Sequence, residues 1–172
     1  LKYQVIKGLN RIHEYDPNLP EKHSLIAVHV LAQTMAYYEG LALCEAFSPE
    51  EGKAGDGLLG RALRERLDRQ LEMIFRLLGL RYPQKDIYFA YAALKGLRPD
   101  KRTSAIEFLD NILEKNLRSV ILPLLEETSS ERLLDRASRT FGIPVPDREE
   151  ALRKILLVPD AWLKACVLYE IG

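Results

Sequence analysis

A histidine beside a glutamate is the pairing from which helical di-metal sites are built, and this chain of 172 residues carries one such pair, His13–Glu14. A two-iron centre needs several such pairs on several helices, because each ion takes at least about four ligands. The other histidines, His23 and His29, are six residues apart and do not share a helical face. They read as a residue near a helix start and a packed or partly exposed one. Cys44 and Cys166 are the only cysteines, and both sit among apolar residues. They read as small core residues in a reducing compartment, with no disulfide framework and no Cys-x-x-Cys pair. The stretch GKAGDG has glycines, but no strand precedes it and no Lys-Ser/Thr follows, so it is read as a loop and not a phosphate cradle. There is no Ser-His-Asp set. No catalytic, cofactor-binding or metal-ligating residue is assigned, and the chain reads as a non-enzyme without a cofactor.

The remaining candidates are charged or aromatic. Arg61, Arg64, Arg66, Arg69, Arg76 and Arg81 enrich one helical stretch, as a nucleic-acid or anionic-lipid stripe would. Glu65, Asp68 and Glu72 are interleaved with them, however. Glu65–Arg69 and Glu72–Arg76 have the spacing of helical ion pairs, so the expectation is a solvated, salt-bridged face. The whole chain balances 25 Lys plus Arg against 25 Asp plus Glu. A dedicated nucleic-acid binder carries a basic excess to displace counterions. Tyr82, Tyr88, Phe89 and Tyr91 cluster around a turn, with Tyr37–Tyr38 upstream. They are expected to be interhelical core with hydroxyls reaching the edge, the sharper reading being a ligand groove. Trp162, the sole tryptophan, is expected to pack on the preceding helix or to cover a missing one, with an interface hot spot as the alternative.

The elements that must position these residues are all helical. Hydrophobic residues make up 47% and charged residues 29%, a globular composition. Helices are expected over about 1–14, 21–47, 58–80 and 84–96, then two joined near Glu114–Asn116, and three more to the chain end. The prolines of YDPNLPEK break the first from the second. Residues about 48–57 are expected to form a flexible loop. Gly96 and Gly142 are expected helix stops, Ser129 or Ser130 and Asp147 expected caps, and Asp160 the start of the last helix. Pro123 falls inside an apolar helical pattern and should kink or end it. The stretch Leu25–Phe47 is long enough to span a bilayer. His29, Gln33, Glu39 and Glu45 are spread around it, so a helix packed on more than one side is expected and no membrane insertion of this segment.

One pattern recurs among these helices: a base, then a small or β-branched residue three on, an aliphatic at four and another at seven. Lys2–Val5–Ile6–Leu9, Arg102–Ala105–Ile106–Leu109 and Lys164–Val167–Leu168–Ile171 follow it, and Ile87–Ala90–Tyr91–Leu94 follows it without the base. Pro99–Asp100 and Pro159–Asp160 introduce two of the copies, a proline setting φ and a carboxylate for the first amides. Stacked helix pairs need such seams, since one pair cannot bury its apolar face alone. The expected fold is therefore an all-α superhelix, a degenerate HEAT/armadillo-like solenoid of about nine helices forming one domain over 1–172. With no Met at position 1 and a last helix that reads as half of a repeat, the chain reads as a fragment. Val167, Leu168 and Ile171 would be left under-packed and open to pairing with another chain.

The phrases LKYQVIKGLNRI, IFRLLGLRYPQKDIYFAYAAL, KRTSAIEFLDNIL, LRSVILPLLEE and PDAWLKACVLYEIG resemble the HEAT-repeat segment of bacterial ADP/ATP-translocase-like polypeptides. The resemblance weakens across the loop at about 48–57. It implies a soluble regulatory or linker module on the cytosolic side of a membrane-attached protein. A transporter-like membrane region would precede it and often a cyclic-nucleotide-binding domain would follow. That family's transport residues lie in the membrane region, so none maps onto this chain. The partner implied is a protein or neighbouring domains of the same polypeptide, not nucleic acid. The alternatives are a free-standing HEAT scaffold for a soluble protein, and an α-solenoid enzyme acting on nucleic acid or using a metal.

Overall fold

The computed structural model describes residues 2–16, 23–47, 57–126 and 129–171. Among them are nine α-helices and no strand: α1 (Lys2–Tyr15), α2 (His23–Glu45), α3 (Leu58–Leu78), α4 (Gln84–Lys95), α5 (Pro99–Ile112), α6 (Lys115–Glu126), α7 (Ser130–Phe141), α8 (Arg148–Leu157) and α9 (Ala161–Ile171). The expected loop at 48–57, apart from Gly57, lies outside the described residues. So do the prolines between α1 and α2. None of the described helices is long and apolar enough to cross a membrane. The side chains of α2 show why: Ala27, Val30, Thr34, Tyr38 and Leu41 are buried at helical spacing, while Glu39 and Glu45 are exposed.

The chain gathers into two compact units. The first holds residues 1–35 and 70–128, the second 36–69 and 129–172. In the first, α4 packs on α5 and α5 on α6. Ile87, Ala90 and Leu94 of α4, Ala105 and Leu109 of α5, and Leu117, Ile121 and Leu125 of α6 are among its buried side chains there. Phe75 meets Tyr91 with ring centroids 5.1 Å apart. α6 runs through Pro123 and continues to Glu126. The ring costs that turn one amide bond, and burial of Leu122, Leu124 and Leu125 around it offsets the loss.

The second unit has its own core. Leu59, Ala62, Leu63, Ile155, Leu163, Cys166 and Val167 are buried together, with Cys44, Phe47 and Leu152 packed against them. Tyr38 meets Phe141 at 5.3 Å. α8 packs on α9. The helix boundaries follow local chemistry. Asp147 accepts the Glu150 amide at 2.8 Å at the start of α8. Gly142 closes α7 in the left-handed region at φ 65°, and the Ile143 amide reaches back to the Ala137 carbonyl at 3.3 Å. Gly96 also ends a helix, but at φ −74°, so α4 stops in an extended turn that needs no glycine.

The two Pro-Asp dipeptides differ in register. Pro99 is the first residue of α5, and Asp100 pairs with Arg98 at 2.9 Å instead of taking up amides. Asp160 stands outside α9 and accepts the Trp162 and Leu163 amides at 3.1 and 3.2 Å. The recurring pattern holds in part. The residue three beyond the base position is buried in α4, α5 and α9 (Ala90, Ala105, Val167). In α1 the buried pair is Ile6 and Asn10, with Val5 and Leu9 exposed, because Asn10 is drawn inward by the polar contacts described next. In α9, Val167 is fully buried whereas Leu168 and Ile171 are exposed.

Candidate binding grooves beside helix α4

Asn10 is one of the few buried polar side chains of the first unit. Its Nδ2 donates to the Ile6 and Arg76 carbonyls, both at 2.9 Å. Gln84 Nε2 in turn donates to the Asn10 carbonyl at 3.0 Å and to its Oδ1 at 3.3 Å. One side chain therefore ties α1 to the end of α3 and to the first residue of α4. Gly79 makes room for it: a Cβ there would lie 3.3 Å from Asn10 Oδ1. Beside this corner, Tyr3 donates to Glu72 at 2.8 Å, and the Arg76 guanidinium pairs with Glu72 at 2.7 Å over the Tyr3 ring. These contacts hold α1 against α3 and set the space between α1 and α4.

That space is a groove of about 900 Å³. Lys7, Arg11, His13 and Glu14 line it from α1, and Gln84, Lys85, Tyr88 and Phe89 from α4. A second groove, about 650 Å³, lies on the other flank of α4, against α5. Much of its wall is small, with Ala92, Ala93, Gly96, Ser104 and Ala105, while Phe89, Arg98, Lys101 and Phe108 are its larger lining residues. Asp86 and Phe89 line both grooves. Tyr88 and Phe89 are 66% and 67% exposed, with ring centroids 6.1 Å apart in an edge-on arrangement. Two adjacent aromatic rings thus stand in solvent on α4, with one of them walling a groove on each side.

The aromatic cluster read from the sequence is therefore divided. Tyr91 turns inward onto Phe75. The Tyr82 hydroxyl accepts the Glu114 amide at 3.2 Å and so serves the α5–α6 link. Tyr38 belongs to the second unit, where burial pushes its hydroxyl up to a pKa of about 12, with Arg136 opposing and Tyr37 adding. Trp162 is about half exposed on α9. His13 and Glu14 both line the α1–α4 groove, while His29 lies on α2 and is half-buried. The side chain of His23 lies outside the described ones. Among the described residues no three His, Cys, Asp or Glu gather closely enough to hold a metal ion.

The arginine-rich helix α3 is partly ion-paired. Arg66 pairs with Asp160 at 3.3 Å and Arg76 with Glu72, while Arg81, in the turn beyond the helix, pairs with Glu114. Arg69 Nε donates to the Glu65 carbonyl at 3.3 Å, a backbone partner in place of the carboxylate its spacing suggests. Cys166 is buried in the core of the second unit and Cys44 half-buried against it. Burial raises both thiols, Cys44 to about 11, with Glu45 adding to the shift and Arg64 opposing it.

Two functional-looking features had weak sequence signals. Asn10 sits where the recurring pattern ends, so its type, polar in an apolar stripe, was its only mark. Arg102, the base of the middle copy, donates to the Leu94 carbonyl at 3.2 Å and the Leu125 carbonyl at 2.6 Å. It joins the C-terminal ends of α4 and α6 across α5, a placement that favours a cation. No family model matches the chain, and no curated protein or solved structure matches it.

Proposed function

We propose that this chain is a non-catalytic, HEAT-like interaction segment that takes a protein segment against α4. The observation that carries the reading is the exposed Tyr88–Phe89 pair beside the two grooves. Aromatic side chains at concave, partly apolar sites are the usual anchors of protein recognition. A stacked, solenoid-type arrangement is supported by the short links from α3 onward and by sequence neighbours packing as spatial neighbours: α4 on α5, α5 on α6, α8 on α9. Buried small or β-branched residues at matching positions of α4, α5 and α9 support it as well. The cellular setting follows the resemblance: a cytoplasmic module of a membrane-attached, translocase-like polypeptide, acting on a protein partner or on neighbouring domains.

The interaction reading is tested by panning a random peptide display library on the intact chain. Clones are expected whose binding is lost in the Tyr88→Ala/Phe89→Ala double variant, while its circular dichroism and melting match the parent. If no enriched clone depends on these rings, the reading falls. The setting is tested separately by the full-length gene, which should encode membrane spans before this segment. A gene without them removes the transporter context.

A further inference from the structure

Resting on that interaction reading, we infer that the α1–α4 groove takes an acidic, amphipathic peptide segment, its apolar side over Tyr88 and Phe89 and its carboxylates toward Lys7, Arg11 and Lys85. The charge of the groove is zoned. Lys7 and Arg11 are four apart on α1, so they share one helical face, and both are exposed. Lys85 adds a third exposed base from α4. Arg76 also lines the groove, but its guanidinium is committed to Glu72 and the Tyr3 ring. Two acids share the lining. Glu14 lies seven residues beyond Lys7, roughly 10 Å along α1, but only three beyond Arg11, so the groove is most basic toward its Lys7 end. Asp86 occupies the first turn of α4, where the helix favours a negative charge, and it faces the second groove too.

A partner complementary to this surface needs few carboxylates on one side and apolar or aromatic residues on the other. An amphipathic helix supplies both at i, i+3 and i+4 spacing. A nucleic-acid strand fits less well, since its evenly spaced phosphates would meet Glu14 and Asp86 as well as the three bases.

The panned peptides decide it. Phe89-dependent clones should be enriched in Asp and Glu flanking apolar pairs. Reversing Arg11→Glu/Lys85→Glu, which keeps the Lys7 charge beside Glu72, should weaken their binding by about tenfold or more at low salt, with the melting curve unchanged. Peptides with Lys in place of their acids should regain binding to that variant. Phe89-dependent clones without an acidic excess, or indifferent to the charge reversal, would overturn the inference and leave the interaction reading standing. The absence of Phe89-dependent clones removes the inference, and the absence of clones that depend on either ring removes both. A labelled dT20 oligonucleotide that binds through the same two bases more tightly than the peptides do would also overturn the inference.

Discussion

Two side chains carry consequences at the scale of the residue. The Cys44 thiol is pushed up to about 11, chiefly by burial. At pH 8 its thiolate would then be about one part in a thousand, and only the thiolate reacts with iodoacetamide. Native protein should therefore label slowly at pH 8 and rapidly in urea, by mass spectrometry of the Cys44 peptide. Fast native labelling would contradict the packing of Cys44 in the second unit. Asn10 is the other. Asn10→Ala removes the donor from the Ile6 and Arg76 carbonyls and a partner from Gln84, at a cost of about 1–3 kcal/mol in urea unfolding. Gly79→Ala would press its new methyl toward Asn10 Oδ1. It should therefore destabilise the parent more than it destabilises the Asn10→Ala background. Strict additivity of the two changes would mean that Asn10 is not what Gly79 makes room for.

Elements show where sequence reasoning reaches and where it stops. The stops and caps at Gly142, Asp147 and Asp160 are legible in the sequence because each depends on a few consecutive residues and their backbone. The two Pro-Asp dipeptides look alike in sequence, yet only Asp160 caps a helix, and it also pairs with Arg66. Asp160→Ala should cost about 1–2 kcal/mol, whereas Asp100→Ala, losing one exposed pair with Arg98, should cost under about 0.5 kcal/mol. Equal costs would show that both aspartates act as caps. The inward face of α1 was not legible. Val5–Leu9–Ile12 and Ile6–Asn10 are both helical stripes, and hydropathy favours the first. The polar contacts of Asn10 with residues 66 and 74 positions away select the second. The grooves were hidden for the same reason. Tyr88, Phe89 and Tyr91 are equivalent as aromatic letters, and only the packing of α4 on α5 and Phase-setting contacts such as Phe75–Tyr91 decide which rings face solvent.

The whole molecule balances its charges at neutral pH, with 25 basic against 25 acidic side chains, so acid has two separable effects. Protonating carboxylates leaves an increasingly positive chain that repels itself. Glu72 adds a local term. Partial burial would raise its pKa, but hydrogen bonds from Tyr3 and Arg76 and the charges of Arg76 and Lys7 outweigh that and hold it below the ordinary 4.5. A carboxyl whose pKa is lower folded than unfolded binds fewer protons in the folded state. Its contribution is thus fully present above pH 4.5 and is lost as the pH falls through the folded value. The urea midpoint should accordingly be flat on the Glu72 account from pH 7 to about 5 and decline below about 4.5. Glu72→Gln keeps the shape and can still accept from Tyr3, but it has no charge for Arg76. It should be less stable than the parent at pH 7, and the gap should narrow as the pH falls below 4.5 toward the folded pKa of Glu72, because protonation removes the parent's charge too. Self-repulsion acts on both proteins alike, so it cannot produce that convergence. A gap that stays constant from pH 7 to 3 would mean that the Tyr3–Glu72–Arg76 cluster holds α1 to α3 by shape, with no contribution from charge.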